Sequence, residues 1–100
     1  MKRRVEFTGS ALQTLAGMRK ADRRFVLDGI GTHLIDNHPS EVTRNKFSLK
    51  RPSAHAGREL RLKDWRVFHT VMGDGALVLV NLIGVKRNNK LVVAGEEFEL

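Results

Sequence analysis

The sequence predicts an α+β domain in which one short strand and two helices precede a run of antiparallel strands, with the helices packed on a small sheet. Three observations predict it. Residues 59–71 alternate between apolar and polar positions on both sides of Lys63-Asp64, the pattern of a tight β-hairpin. Phe25, Val26, Ile30, Leu34 and Ile35 recur at helical spacings. Gly73-Asp74-Gly75 is a turn signal placed just before Leu77-Val78-Leu79-Val80-Asn81-Leu82-Ile83, a run apolar on both faces, as a central strand requires.

In chain order, residues 4–8 read as the first strand, with Val5 and Phe7 pointing one way. Ser10 suits the N-cap of a helix that starts at Ala11 and carries Leu12, Leu15 and Ala16 on its apolar side; Gly17 weakens that helix near its end. Asp22 is the N-cap expected for the following helical segment, which is either a second helix or the second half of a kinked one. Pro39 disfavours helical geometry at His38 and so closes it. Residues 40–57, with Pro52, Ser53 and Gly57, read as a basic connector. In the hairpin, a two-residue turn sets Leu62 opposite Trp65, Arg61 opposite Arg66 and Leu60 opposite Val67. Leu60, Leu62, Trp65, Val67, His69 and Val71 then share the apolar, helix-facing side, while Glu59, Arg61, Lys63, Arg66 and Phe68 share the other. Lys86-Arg87-Asn88-Asn89-Lys90 makes a polar turn into a last strand at Leu91-Val92-Val93. No internal repeat is found, and residues 1–100 read as one domain.

Composition narrows the function classes. A hydrophobic content of 41% argues against disorder. No apolar run approaches the ~20 residues that cross a bilayer, and Met1-Lys2-Arg3-Arg4 is followed by Val5-Glu6-Phe7-Thr8 where a secretory signal would have an apolar core. A cytoplasmic, non-membrane protein is expected, in keeping with the absence of cysteine, which excludes disulfides and thiolate metal sites. His33 and His38, near a helix end and without a carboxylate cluster, make a poor metal site; no metal or cofactor is expected. Eighteen Lys and Arg against eleven Asp and Glu give a net charge of +7, which favours nucleic acid or an acidic protein as partner. The excess is concentrated in residues 44–66, which hold eight basic residues against Glu59 and Asp64.

Arg61 opposite Arg66 is the sharpest local signal. Like charges directly opposite destabilise a hairpin, so the pair calls for an anion, with phosphate the leading choice. Two other readings stay open: Glu59 neutralises one arginine locally, or both guanidiniums are exposed and solvated. Phe68, on the arginine face, is the residue placed to stack on a base, whereas Trp65 and His69 belong to the core side.

With these residues in place, the chain resembles the RelE/ParE superfamily of bacterial type II toxins. The resemblance is carried by the helix of residues 25–35, by Thr43-Arg44-Asn45-Lys46, and by Glu59-Leu60-Arg61-Leu62 with Asp64-Trp65-Arg66-Val67-Phe68. Ile83-Gly84-Val85-Lys86 and Gly95-Glu96-Glu97-Phe98-Glu99-Leu100 complete it, the last pattern being similar to the RelE branch. It covers almost the whole chain and implies two N-terminal helices on a small antiparallel sheet, in the order strand-helix-helix-strand-strand-strand, with a basic cleft on the open face. It also implies a partner antitoxin. RelE-type members cleave mRNA on the ribosome without a metal, and ParE-type members inhibit DNA gyrase.

For metal-free cleavage, the RNA 2′-hydroxyl attacks the adjacent phosphorus, and the protein must stabilise the developing charge. The resemblance implies Arg61, Arg66 and Lys86 as cleft residues; Lys50 is a further catalytic candidate, and Lys46, Arg51, Lys63, Phe68 and Arg87 are candidate nucleic-acid contacts. The chain departs from the family at the C-terminal position where ribosome-dependent members often carry a tyrosine or histidine. Val92 stands there, and the sequence contains no tyrosine. A substitute general base is expected from a lysine, with Lys50 and Lys86 ahead of Lys63, or from a histidine such as His55. The departure keeps the alternative open, a ParE-like gyrase inhibitor or a relative that acts only by binding.

Overall fold

The computed structural model describes residues 3–49 and 57–98. Strand β1 (Arg4–Phe7) is followed by helices α1 (Gly9–Gly17) and α2 (Lys20–Ile30), the latter running on into a wider π-type turn at Gly31–Asp36. Then come β2 (Lys46–Ser48), β3 (Arg58–Leu62), β4 (Trp65–Met72), β5 (Leu77–Arg87), β6 (Lys90–Val93) and β7 (Glu96–Glu97). The α+β class holds. The described strands form one sheet in the order β2-β3-β4-β5-β6-β7, antiparallel throughout, and β1 joins it parallel to the first half of β5. At eleven residues, β5 is long enough to pair with β1 over Leu77–Val80 and with β6 over Val85–Arg87, two short strands lying along the same flank.

Local chemistry explains the ends of the elements. The cap of α1 is Thr8, not the expected Ser10: extended backbone at the end of β1 lets Thr8 Oγ1 accept from Ala11 N (3.2 Å) and donate to the Asn81 carbonyl (2.8 Å), tying helix to sheet. Asp22 is not a cap either. It lies in the first turn of α2, where a carboxylate opposes the positive end of the helix dipole. The helical path closes at Asn37, whose side chain donates to Thr32 O (2.8 Å), one residue before His38-Pro39 as expected. Asn88-Asn89, both at positive φ (53° and 65°), form the two-residue turn into β6.

The hairpin register is the expected one, with Leu62 opposite Trp65, Arg61 opposite Arg66 and Leu60 opposite Val67. A register shift between Phe68 and His69 against β5 leaves Asn81 as the extra residue, so Val80 and Val78 face the helices along with Ile83. The main core forms on that side from Ala11, Leu15, Val26, Ile30, Leu34, Leu60, Leu62, Val67, Val78, Val80 and Ile83. Gly29 lets α2 approach the hairpin: a Cβ there would lie 2.6 Å from Leu62 Cδ1. The other side of the sheet carries a smaller apolar cluster of Phe68, Leu82 and Leu91, packed with Leu49, Val93 and Phe98.

Within residues 40–57, expected to be connector, β2 pairs Lys46 with Leu60, Phe47 with Glu59 and Ser48 with Arg58. Its three residues are too few, and Lys46 too polar at the inward position, for alternation to announce it.

Candidate functional site

On the face away from the helices, Glu59, Arg61 and Arg66 form a contact triad. Alternation along β3 puts Glu59 and Arg61 on one side, and the hairpin register sets Arg66 across from Arg61. Glu59 Oε2 lies 2.6 Å from Arg61 Nε and 3.6 Å from Arg66 Nε. The like-charged pair is therefore held apart by one carboxylate, and the triad keeps one net positive charge. The Arg61 guanidinium also sits 4.9 Å from the centroid of the Phe47 ring, the register partner of Glu59.

The two arginines are not equivalent. The Arg61 side chain is 49% exposed and that of Arg66 only 13%, which corrects the reading of both as exposed. Arg66 Nη1 donates to Lys63 O (2.6 Å) and Trp65 O (3.0 Å), clasping the hairpin turn. Its pKa is lowered, first by burial and then by Arg61, against the opposing pull of Glu59 and Asp64; an arginine so placed is still a cation at neutral pH. Its Nε finds no hydrogen bond, and the 3.6 Å approach of Glu59 supplies charge compensation in its place.

Gly84 stands opposite Arg66 in β5, where a side chain would run into Leu91 and Val93. Lys86, two residues further on the same face, is exposed, and its N–H donates to Asp64 O (2.7 Å), fastening β5 to the turn. Arg87, also exposed, lines a groove of about 500 Å³ with Met18, Arg19 and Trp65, away from the triad.

Two expected nucleic-acid contacts lie elsewhere than expected, and a third is on the expected face but covered. Lys46 is fully buried: its place opposite Leu60 turns it to the helix side, where Nζ donates to His33 O and His38 O (2.9 Å) at the end of the helical path. Burial lowers its pKa, with Arg58 and Arg3 adding repulsion and Glu41 opposing it. Lys63 takes a left-handed backbone (φ 57°), which breaks the strand alternation; its Nζ lies 5.3 Å from the Phe25 ring centroid, toward α2. Phe68 shares the arginine face as expected but is 3% exposed, its ring covered by the smaller apolar cluster, so it offers no stacking surface. Lys50, Arg51 and His55 lie outside the described residues.

Two of the three described histidines, His69 and His38, hold structural contacts through their rings. His69 is fully buried on the helix side; burial holds its pKa down to about 4, so it is neutral, and Nδ1 lies 3.2 Å from Val67 O. His38 accepts from Ser40 N at Nδ1 and contacts Asp74 O through Nε2 (both 3.1 Å). His33 has its pKa lowered by burial and by nearby Lys46. Among the described residues no group of three His, Asp or Glu is close enough to hold a metal ion. Nor is any helix there long and apolar enough to cross a membrane.

Sequence reading gave Glu59 only a neutralising role. Its central position could have been found from the two-residue spacing to Arg61 and the turn length that brings Arg66 across. Compared with known proteins, the chain matches no family model and no curated protein.

Proposed function

We propose that the chain is a cytoplasmic RelE-like toxin that cleaves mRNA on the ribosome and is held inactive by an acidic antitoxin. The observation that carries this reading is the Arg61 guanidinium, half exposed and fixed through Nε by Glu59 beside Arg66, on the most basic stretch of a chain of charge +7. Its Nη edge is available for bidentate contact with a phosphate. Arg61 and Arg66 would hold the scissile phosphate, Lys86 would add charge at its margin, and the 2′-oxygen would displace the 5′-oxygen. The products are a 2′,3′-cyclic phosphate and a 5′-hydroxyl. The seven-stranded α+β architecture, with its helices on one side of the sheet and the arginines on the other, supports the likeness to that superfamily.

One observation favours the binding-only alternative, a ParE-like gyrase inhibitor. Val92, at the place of the family's proton-handling residue, is half-buried in mid-sheet between Val85 and Glu97. Induction in cells, followed by mapping of mRNA 5′ ends against ribosome position, separates the two. Cuts inside translated codons are expected; intact mRNA with DNA breaks would replace the nuclease by the gyrase inhibitor.

A further inference from the structure

We propose that β1 is a self-pairing edge, through which two copies of this chain join in an antiparallel dimer about a twofold axis. Among the described residues β1 pairs with β5 alone. In that parallel ladder Arg4 N donates to Ala76 O (2.9 Å) and Thr8 N to Val80 O (3.0 Å), so the even-numbered residues turn their main-chain groups toward β5. The N–H and C=O of Val5 and Phe7 therefore point the other way, off the free side of the strand, with those of Arg3 in line with them. The Val5 and Phe7 side chains pack against the main core, which leaves Arg4 and Glu6 exposed on the opposite face, joined by an ion pair of 3.2 Å. The outer edges of β2 and β7 do not suit the same use. Lys46 of β2 exchanges both its main-chain groups with Thr43 of its own chain, and β7 is two glutamates, which a second copy would meet with like charge.

The charges select the register. Odd-numbered residues present the free main-chain groups, so a second copy must set odd against odd. A twofold pairing centred on Arg4 sets arginine against arginine, and one centred on Glu6 sets glutamate against glutamate; both are unfavourable. Centring on Phe7 runs the partner strand into α1, which starts at Gly9. Centring on Val5 sets Arg4 of each copy opposite Glu6 of the other, Val5 opposite Val5 and Arg3 opposite Phe7. That register makes about six main-chain hydrogen bonds, and the Cα atoms of a non-hydrogen-bonded pair such as Arg4 and Glu6 lie about 4.5 Å apart. Each Glu6 carboxylate, already paired with Arg4 of its own chain, gains a second arginine. The contact is isologous, as a closed dimer requires. The two sheets then run on edge to edge, with the helices of both copies on one side and both Arg61 groups on the other. Strands of four residues bury far less than the ~1,600 Å² of a standard interface, so the dimer is weak and concentration-dependent.

The test is sedimentation equilibrium of the full chain from about 10 µM to about 1 mM. Wild type is compared with Arg4→Glu, Glu6→Arg, the double exchange of both, and Val5→Pro. Wild type should dimerise across that range. Either single reversal sets like charges opposite at both ends of the contact and should weaken association about tenfold or more. The double exchange restores both pairs at an unchanged net charge, and its affinity should return to within a few-fold of wild type. Val5→Pro removes the outward N–H at the centre of the contact and none that β5 uses, a position where an edge strand accepts proline, so it should abolish the dimer. The Arg4 and Glu6 side chains are 72% and 50% exposed, so the charge variants keep the fold; if Val5→Pro does not fold, they decide alone. Wild type that stays monomeric at the highest concentration overturns the proposal. So does a dimer that keeps its affinity in both single reversals, or a double exchange no tighter than they are, because the contact would then lie on another surface.

Discussion

Lys46 and Arg61 come from the same basic stretch, face opposite sides of the sheet and do opposite things with their charge. Lys46 is fully buried, its ammonium satisfied by two backbone carbonyls at the end of the helical path. Arg61 is half exposed, its Nε satisfied by Glu59 and its outer edge turned to solvent. The difference follows from register. Lys46 pairs with Leu60, an inward position, and Arg61 with Arg66, an outward one. Charge counted along the chain treats these cations alike, so part of the basic excess of residues 44–66 serves architecture and is unavailable to any partner.

That contrast breaks first on stability. Lys46→Met keeps the volume and apolar stem but leaves the His33 and His38 carbonyls without their donor in a buried site. Losing charge-assisted hydrogen bonds there should cost about 2–4 kcal/mol. The midpoint of urea unfolding checks this, and an unchanged midpoint would mean that water replaces the ammonium. RNA affinity of the folded fraction should not move, since Lys46 reaches no open surface.

The next effect is one of pH, and it also comes from the helix side. His69 has a folded pKa of about 4, below the ~6.5 of an exposed histidine. The unfolded chain therefore binds a proton that the folded chain refuses. Its contribution is fully present above about pH 6.5 and is lost as pH falls toward 4, below which both states are protonated. Between pH 7 and 5 the loss should be about 2 kcal/mol, with His33, also lowered, adding in the same direction. Urea midpoints of wild type and His69→Gln at both pH values measure it; equal slopes would show that His69 is not the group responsible. The two arginines on the open face contribute nothing to this window, because arginines do not titrate there.

How much of this was legible in the sequence depends on whether the cause was local. The hairpin register was legible because a two-residue turn and period-2 alternation fix every pairing between Leu60 and Val67. The placement of His69 on the core side followed from the same parity. The cap of α1 was missed by two residues because Thr8 and Ser10 offer the same hydroxyl chemistry, and only the neighbouring strand β5 selects Thr8. Phe68 was given the correct face, but its cover comes from Leu82, Leu91 and Phe98, distant in sequence. Lys46 was misread for the same reason: the carbonyls that hold it belong to a helix end brought close only by the fold. The acid between the arginines was visible as a residue and not as a bridge.

The smallest stability effect should be that of Arg61→Ala, and it is the one that sharpens the comparison most. Arg61 is half exposed, Arg66 remains 3.6 Å from the buried Glu59 carboxylate to compensate its charge, and the Phe47 ring is only half-buried, so the unfolding midpoint should move by less than about 1 kcal/mol. Arg66→Ala should cost more, because it also frees the Lys63 and Trp65 carbonyls at the hairpin turn. Both variants should abolish growth inhibition on induction, since each removes half of the phosphate grip. The double variant should consequently be less stable than wild type despite losing a like-charge pair, with Arg66 supplying nearly all of the loss. A more stable double variant would show that repulsion between the two arginines outweighs the bridge through Glu59. An Arg61→Ala variant that folds normally and remains fully toxic would remove this face from the function altogether.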